Sequence, residues 1–594
     1  MERSTIDESL KWDTSKIFKE DEDFYKAIDE IKELIEVNKA YKGKITENAD
    51  TFYKFLKDNE KLERLASKTY VYGSLKSDED TRVTKYQEMR QTITNLYAKL
   101  QSELSFITPE ILKTDYEKIK SFIDEKEELK IYDHFFENFF RAKDHTLTES
   151  EEKIIASYSK LSQVPQMTFM ILNNADMTFP SVEKDGEEVK ITNANFTQLQ
   201  EDPDRDFRRE VYEKYYQTYK QFSNTAASLL DGELTANNTE SKLRNYSSAR
   251  EMSLFKNNLP EEVYDNLIEV IHENMDIHQD YTKLRKEVLG VDDLSFHDIY
   301  MPLVEDYNKK YTFEEAKALI MEAIKPLGED YVKQAARGFE ERWFDVCANT
   351  GKRSGGYSSG SYDTEPYILL NYNDSLDSMF TTVHELGHSM HSYYTRSNQP
   401  YIYGSYSIFL AEIASTTNEL LLLNYMLERT EDKKEKAYLL DHYVHSFKST
   451  VFRQTLFAEF EHKVNKLVEE GKPVTAESLD KIYHDLNVEY FGDAIDVDEY
   501  ISTEWARIPH FYMFYYVFQY ATGFSSAVTL SEKILHGTDE DREKYLNFLK
   551  AGESKYPLEV LKEAGVDMTN KDAMQKAMDV AREKMKELRE VLGK

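Results

Sequence analysis

The stretch TTVHELGHSMHSYY, residues 381–394, contains the spacing H-E-x-x-H at His384, Glu385 and His388. Residues four positions apart lie on one face of an α-helix, so both imidazoles can point at one metal ion. Glu385 is one step round the helix, where a carboxylate could take a proton from metal-bound water. Apolar residues flank the motif and favour a buried helix. The stretch therefore predicts the catalytic helix of a zinc peptidase rather than two surface histidines with an incidental glutamate.

A catalytic zinc ion needs a third protein ligand, and the sequence offers two candidates. The extended motif of one zinc-peptidase class would need a glycine and a histidine where this chain has His391 and Tyr394. Another class takes a glutamate from a later helix, and the apolar stretch 404–427 supplies Glu412. Glu419 follows two turns later on the same face, where it could accept a hydrogen bond from a ligand histidine. Glu412 is the predicted third ligand. His391 is the alternative third ligand. If it does not bind the metal, we expect it to support a ligand residue or to be packed in the core.

Composition excludes several classes of protein. Aromatic residues make up 13% of the 594 positions, and the net charge is -34. Such a charge argues against nucleic acid and anionic membranes as partners, because their phosphates would be repelled. The N-terminus lacks the apolar core of a signal peptide, and no stretch approaches ~18 apolar residues. A single cysteine, Cys347, leaves histidine and carboxylate as metal ligands and is typical of a cytoplasmic protein.

Hydrophobic periodicity predicts a mainly α fold with a small sheet beside the His-Glu helix. Helical spacing dominates to about residue 175, from 203 to 340 and from 376 to the end. The Asp185-Gly186 pair between alternating residues predicts a β-hairpin. The run PYILLNY, 366–372, reads as a strand just before the helix and could be the edge strand that pairs with an extended substrate.

A Gly/Ser-rich loop, residues 354–361, precedes that strand and has two interpretations. It could be a flexible connector, or it could close over a bound peptide. Gly355 and Gly356 would permit close approach of another backbone, and Tyr357 follows them directly. These three residues are predicted to contact substrate.

The pattern H-E-x-G-H-x-x-H followed by E-x-x-S-x-x-x-E resembles the thimet oligopeptidase and oligoendopeptidase F family of zinc peptidases. Oligoendopeptidase F is the closer match, and its motifs extend along nearly the whole chain. The matching segments are WDTSKI (12–17), RNYSSA (244–249), GKRSGGYS (351–358), RIPHFYMFYYVFQYATG (507–523) and EAGVDM (563–568).

This resemblance implies a mainly α, two-lobed fold enclosing a deep channel, with zinc on the channel floor. It assigns His384, His388 and Glu412 as ligands of one Zn²⁺ per chain and Glu385 as general base and acid. The corresponding domains are an N-terminal helical lobe (1–110), a further part of that lobe with the hairpin (111–200) and a catalytic domain (201–594).

The segment RIPHFYMFYYVFQYATG resembles the part of the family that supplies a histidine and tyrosines to the transition state. His510 and Tyr515 keep the family's five-residue offset. A second tyrosine is expected where this chain has Thr522, and Tyr520 is the candidate to replace it. Tyr512 and Tyr520 are also predicted to contact substrate. A phenol or imidazole donor aimed at the developing oxyanion would add to the stabilisation that zinc provides.

The predicted function is zinc-dependent hydrolysis of internal bonds in short unstructured peptides, in the cytoplasm. Two alternatives stay open. A carboxypeptidase or dipeptidyl carboxypeptidase would need a basic residue for the terminal carboxylate, such as Arg353 or Arg507. A peptide carrier with a structural zinc is the other, although Glu385 argues against it because a structural site needs no base. The oligomeric state is left open.

Overall fold

The computed structural model of the chain describes residues 1–304, 307 and 309–594. It is 71% helix and 4% strand, which confirms the predicted mainly α fold. The helices before the Gly/Ser-rich loop are α1 Asp21–Lys39, α2 Ala49–Glu79, α3 Thr84–Glu103, α4 Ile107–Leu112, α5 Tyr116–Glu125, α6 Asp133–Arg141, α7 Glu149–Ser162, α8 Val164–Ile171, α9 Phe196–Leu199, α10 Arg205–Gln221, α11 Ser223–Leu243, α12 Ala249–Phe255, α13 Glu262–Glu273, α14 Met275–Leu289, α15 Phe313–Ala323 and α16 Glu329–Glu340.

The helices after that loop carry most of the predicted site residues. They are α17 Leu376–Asn398, α18 Ile408–Arg429, α19 Lys433–Ser446, α20 Arg453–Glu469, α21 Ala476–Phe491, α22 Phe518–His536, α23 Asp539–Ala551, α24 Pro557–Glu563 and α25 Asp572–Leu592. A π-helical turn, Phe447–Phe452, joins α19 to α20, and two 3₁₀ segments, Ile501–Arg507 and Pro509–Tyr512, precede α22.

Two small sheets interrupt the helices. Strands β1 Ser181–Lys184 and β2 Glu187–Lys190 pair antiparallel around Asp185 and Gly186, which confirms the predicted hairpin. Both turn residues have positive φ (54° and 80°), as a tight hairpin turn requires. The other sheet contains β3 Phe344–Cys347, β4 Tyr357–Ser359 and β5 Tyr367–Tyr372.

The strand order of the second sheet corrects one expectation. The order is β3-β5-β4, with β5 parallel to β3 and antiparallel to β4. The run at 367–372 is therefore the central strand, and β4 is an outer strand. The long apolar run of β5, buried over its first four residues, is typical of a strand covered on both faces.

The chain forms two compact units, each built from three segments. The first unit contains Met1–Asp144, Asn308–Tyr425 and Leu530–Gly565, and with them the His-Glu motif and its sheet. Its core includes Phe24, Leu62 and Leu369, all fully buried. Trp12 lies in the N-terminal segment WDTSKI. Its buried indole N–H donates a hydrogen bond to Glu79 at 2.9 Å, so this donor is satisfied within the protein.

The second unit contains His145–Tyr307, Met426–Thr529 and Val566–Lys594. Its interior is unusually aromatic. Tyr215, Tyr264, Tyr483 and Tyr490 are nearly or fully buried, and their hydroxyl groups find partners inside the unit. Each phenol thus combines apolar burial with a satisfied hydrogen bond, which explains how the chain buries so many tyrosines. In the described part of the chain, every helix is too short or too polar to cross a lipid bilayer.

Candidate metal centre and active site

Helix α17 positions the H-E-x-x-H motif directly after β5. Ser375 caps the helix by accepting a hydrogen bond from the backbone N–H of Ser378 at 3.1 Å. The apolar face, with Val383 and Leu386 fully buried, fixes the rotation of the helix. His384 and His388 are then left on a half-buried face, with ring centroids 4.8 Å apart.

Helix α18 brings Glu412 to the two histidines. Its Oε2 lies 3.3 Å from His384 Nε2 and 3.5 Å from His388 Nε2. The three ligand atoms all lie within 4.8 Å of one another. His391, the rival third ligand, is outside this group. It is buried, and its ring stacks on Tyr406 at 3.7 Å.

Glu419 lies behind His384. Its Oε1 is 2.5 Å from His384 Nδ1, so the ring offers Nε2 towards Glu412. Burial lowers the pKa of His384, but the hydrogen bonds to Glu412 and Glu419 outweigh it and raise the pKa to about 10. Burial alone would raise the pKa of Glu412, yet the two histidines hold it well below its usual range. His384 thus has a carboxylate at each ring nitrogen, and the negative charge of the two groups favours a cation beside this ring.

Glu385 is 8% exposed and lies on the side of α17 that faces β4. Burial raises the pKa of its carboxyl, and the charges of His384 and His388 act against that rise. A carboxylate with a raised pKa is better matched to proton transfer near neutral pH than an ordinary glutamate. Ser358, which sequence reasoning did not select, lies with its hydroxyl 2.8 Å from Ser389 Oγ on α17.

The predicted substrate loop contacts this side of the motif. A β-carbon on Gly356 would lie 2.9 Å from the Thr381 side chain and 3.8 Å from Glu385 Oε1, so the loop passes close to the base. Gly355 has φ of 84°, which favours glycine. Tyr357 begins β4, and its hydroxyl donates to Asp78 at 2.9 Å, which anchors the strand to α2.

His510 and the predicted tyrosines lie in the second unit. Tyr520 Oη is 3.4 Å from His510 Nε2, and both side chains are half-buried. Tyr516, which the sequence reasoning did not select, packs edge-on against Tyr520 at 5.4 Å. Tyr512 is 6% exposed and stacks on Phe169.

Tyr515 has a different environment from its neighbours. It is 1% exposed, and its hydroxyl lies 3.1 Å from His462 Nδ1. Its backbone N–H donates to Glu461 at 2.5 Å. Phe514 and Tyr515 both have positive φ, 44° and 53°, so the chain turns sharply here. The turn directs Tyr515 into the interior, where it packs against Tyr264.

A second group of possible metal ligands in the described residues contains His272, Glu459 and Glu489. His272 uses Nε2 towards Glu459 at 2.8 Å and Nδ1 towards Glu489 at 3.1 Å. Both ring nitrogens cannot bind one ion, whereas a doubly protonated ring suits both carboxylates. The hydrogen bond to Glu459 raises the pKa of His272. This group is therefore an ion-pair network and not a second metal centre.

Known proteins match this chain over its whole length. The profile of peptidase family M3 matches residues 198–580, and the Oligopeptidase F profile matches residues 110–179. The chain is 45% identical over 594 residues to the oligopeptidase PepF of Bacillus subtilis, covering 100% of this chain and 89% of that protein.

Two crystal structures share the fold over nearly the full length. A protein described as a peptidase from Chlamydophila abortus has a TM-score of 0.93 at 35% identity, with 99% of each chain covered. The oligoendopeptidase F of Enterococcus faecium has a TM-score of 0.74 at 37% identity, covering 96% of this chain and 99% of that one. This chain belongs to peptidase family M3 and is a metalloendopeptidase of the oligoendopeptidase F group.

Proposed function

We propose that this protein is a zinc-dependent oligoendopeptidase that hydrolyses internal bonds of short, unstructured peptides. The observation that carries the proposal is the convergence of His384, His388 and Glu412, with Glu385 beside them. Three ligands leave a fourth coordination position open, as a catalytic zinc site needs, whereas a structural site would close it.

The ligand atoms fit one Zn²⁺ per chain. Two ligands of a tetrahedral ion with bonds of ~2.0–2.1 Å lie roughly 3.4 Å apart. The separations from Glu412 to His384 and His388 are 3.3 and 3.5 Å. Glu419 supports the set, because a histidine ligand that donates its other N–H to a carboxylate is held in one tautomer and orientation.

When bound, zinc would lower the pKa of a coordinated water towards neutrality and polarise the substrate carbonyl. Glu385 takes a proton from the attacking water as oxygen adds to the scissile carbonyl carbon. It then delivers that proton to the departing amine nitrogen as the C–N bond breaks, so the carboxylate is regenerated. Because Glu385 is buried, its electrostatic interactions with the attacking water and with the departing amine are stronger than they would be in bulk solvent.

An outer strand offers a way to hold an extended peptide. Strand β4 is at the end of its sheet and pairs with β5 along one of its two edges. Backbone pairing with the other side of β4 would align a substrate without reading its sequence, and Gly355 and Gly356 would let its backbone approach. The Ser358 hydroxyl of β4 lies 2.8 Å from Ser389 Oγ on α17, so the strand is held against the helix that carries Glu385.

The resemblance assigns His510 and Tyr515 to transition-state stabilisation, and we extend that proposal to Tyr520. The pKa of His510 is lowered by burial and by the charge of Arg453, which favours a neutral imidazole at neutral pH. Tyr520 has its hydroxyl at His510, whereas the hydroxyl of Tyr515 is at His462. Tyr520 is therefore the tyrosine that we expect to act with His510 as a donor.

We propose a cytoplasmic location and peptide partners, with the domain limits 1–110, 111–200 and 201–594. The acidic charge and single Cys347 support an intracellular role without nucleic acid or membrane partners. For the carboxypeptidase alternative, both basic candidates have acidic partners: Arg353 pairs with Asp78 at 3.2 Å and Arg507 with Glu504 at 2.6 Å.

Mass spectrometry of a mixed peptide library, with and without a chelator, tests the proposal. We expect internal cuts that disappear with chelator and return on addition of Zn²⁺. Release of one or two C-terminal residues would instead support a carboxypeptidase. Absence of cleavage by metal-replete protein would contradict the proposed activity and leave a peptide carrier.

A further inference from the structure

The second unit contains a cavity of about 150 Å³ beneath the π-helical turn. Three of its sides come from α14, α20 and α21, and the turn Phe447–Phe452 contributes Lys448. π-turns occur frequently at functional sites, because the inserted residue redirects the neighbouring side chains. Residues that line the cavity include His278, Tyr300, Lys448, Phe452, Arg453 and Phe491.

Lys448 lines this cavity without a carboxylate bonded to it, and Asp441 and Glu504 attract its charge only from further away. Its Nζ donates to the Ile299 carbonyl oxygen at 3.1 Å, and no carboxylate of a described residue lies within 4 Å of it. An ammonium group has three donors, so this single acceptor leaves capacity for a ligand. Burial lowers the pKa of Lys448 well below its usual value, and repulsion from Arg285 and Arg453 adds to that effect.

The other charges of the cavity already have partners. Arg453 binds Glu504 through two contacts of 2.7 and 3.3 Å, and Arg507 contacts the same carboxylate at 2.6 Å. Two guanidinium groups thus share one acid. Arg507 is not among the residues that line the cavity, and Arg453 is matched by Glu504, so Lys448 is the lining cation that an anion would bind.

A second buried polar group also lacks a partner. His278 lines the cavity and is 4% exposed, and its Nδ1 has no hydrogen-bond partner among the described residues. Its ring stacks on Phe452 at 5.2 Å, and burial lowers its pKa to about 3, so it is neutral at neutral pH. A neutral imidazole can donate to or accept from a ligand without adding charge.

The remaining lining is largely aromatic, with Phe296, Phe457 and Phe491 beside Phe452. One lysine without a bonded carboxylate matches one acidic group of a ligand, and the rings match an apolar body. A phosphate dianion would bring a second negative charge, for which the lining offers no second cation without a bonded carboxylate. We propose that this cavity binds a small carboxylate with an apolar body, held by Lys448 and packed against the aromatic rings.

Two sources can supply such a group. One is the C-terminal residue of a peptide, and this source rests on the proposed peptidase function. The other is a free carboxylic acid. A ligand of this size also fits the space, since 150 Å³ corresponds to roughly five water molecules at ~30 Å³ each.

Isothermal titration of the metal-replete chain with isovalerate and with isovaleramide tests the cavity itself. The two probes have nearly the same shape, and only the acid carries a charge. We expect the acid to bind about tenfold more tightly or better, as one charge-assisted hydrogen bond implies. Lys448→Met should remove that preference, whereas Lys466→Met, at an exposed position of α20, should retain it. Equal binding of acid and amide by the unaltered chain, absence of binding, or a retained preference in Lys448→Met would overturn the proposal.

The comparison of acid with amide uses the unaltered chain, so it holds even if Lys448→Met fails to fold. Peptides ending in leucine, with a free or an amidated C-terminus, then distinguish the two sources. A lower KM for the free acid that disappears in Lys448→Met identifies the peptide terminus. Equal KM values together with isovalerate binding identify a free carboxylic acid. Because isovalerate has no peptide bond, its binding is independent of whether the chain cleaves peptides.

Discussion

Gly387 lies directly against Ser415, at the point where α17 and α18 cross. A β-carbon built on Gly387 would be 2.6 Å from Ser415 Cα and 2.8 Å from the Ala414 carbonyl oxygen. These atoms belong to the backbone, so no flexible side chain can move aside. The direct contact between helices brings Glu412, three residues before Ser415, within reach of both histidines.

Gly387→Ala is expected to weaken metal binding more than its size suggests. The added methyl group must push α18 away, and Glu412 moves with it. Overpacking of this kind costs about 1–3 kcal/mol, so the unfolding midpoint should fall as well. Calorimetry and zinc titration would measure the two effects. Gly523→Ala serves as the control for stability, because a methyl group on Gly523 would meet no heavy atom within 4 Å and alanine should be tolerated there. Unchanged zinc affinity in Gly387→Ala would contradict the proposed role of the crossing.

Glu419→Gln should lower zinc affinity about 10- to 100-fold without unfolding the chain. The amide can still accept a hydrogen bond from His384, but the negative charge that favours a cation at the ring is lost. Competition with a chromogenic chelator would give the dissociation constant. Glu428→Gln, on an exposed part of α18, is the matched control. Equal affinities in the two variants would show that Glu419 does not support the ligand.

Glu385→Gln and His388→Ala should separate catalysis from metal binding. Glu385→Gln keeps all three ligands, so we expect one zinc per chain and a loss of kcat/KM of about 10²- to 10⁴-fold. His388→Ala removes a ligand, so we expect the metal itself to be lost. Metal analysis of dialysed protein and cleavage of one defined peptide would test both. Normal turnover by metal-replete Glu385→Gln, or a full zinc content in His388→Ala, would refute the corresponding assignment.

The convergence of His384, His388 and Glu412 could be predicted because the spacing of the two histidines is local. His384 and His388 lie on one helical face whatever surrounds them, and a later glutamate in an otherwise apolar helix had few other uses. The order of the second sheet could not be predicted in the same way. Whether β5 (Tyr367–Tyr372) is central or at the edge depends on pairing with β3 and β4, which are separate segments of the chain.

The buried surroundings of Tyr515 could not be predicted from the sequence either. Counting five residues from His510 assumes that the chain continues regularly between them. Positive φ values at Phe514 and Tyr515 break that regularity and turn the phenol inward. Neither residue is a glycine or asparagine, so residue type gave no sign of the turn.

Tyr520→Phe and Tyr515→Phe should therefore have different effects. Loss of the Tyr520 hydroxyl removes the group beside His510, and we expect kcat to fall about 10²-fold or more if it acts as a transition-state donor. Loss of the Tyr515 hydroxyl leaves His462 without its buried partner, so stability should fall by about 1–2 kcal/mol with a smaller change in kcat. Steady-state kinetics and thermal unfolding of both variants would test this. A large loss of kcat confined to Tyr515→Phe would favour the family offset instead.

Glu461 should make stability decrease with rising pH. It is 3% exposed, and burial raises its pKa to about 8, against which the hydrogen bond from the Tyr515 N–H acts only weakly. The unfolded chain releases this proton near the ordinary value of 4.5, whereas the folded chain holds it until about pH 8. The stability that this group contributes at low pH is therefore lost between pH 4.5 and 8, by about 5 kcal/mol in total.

Glu461→Gln removes that titration but keeps an oxygen that can accept from Tyr515. The unfolding free energy of the variant relative to the unaltered chain should therefore increase between pH 5 and 8. Chemical unfolding at several pH values would measure this difference, and contributions of all other groups cancel in it. Glu469→Gln, also on α20 but paired with Lys466, is the control and should show no such increase. A difference that stays constant from pH 5 to 8 would mean that Glu461 is already ionised in the folded chain.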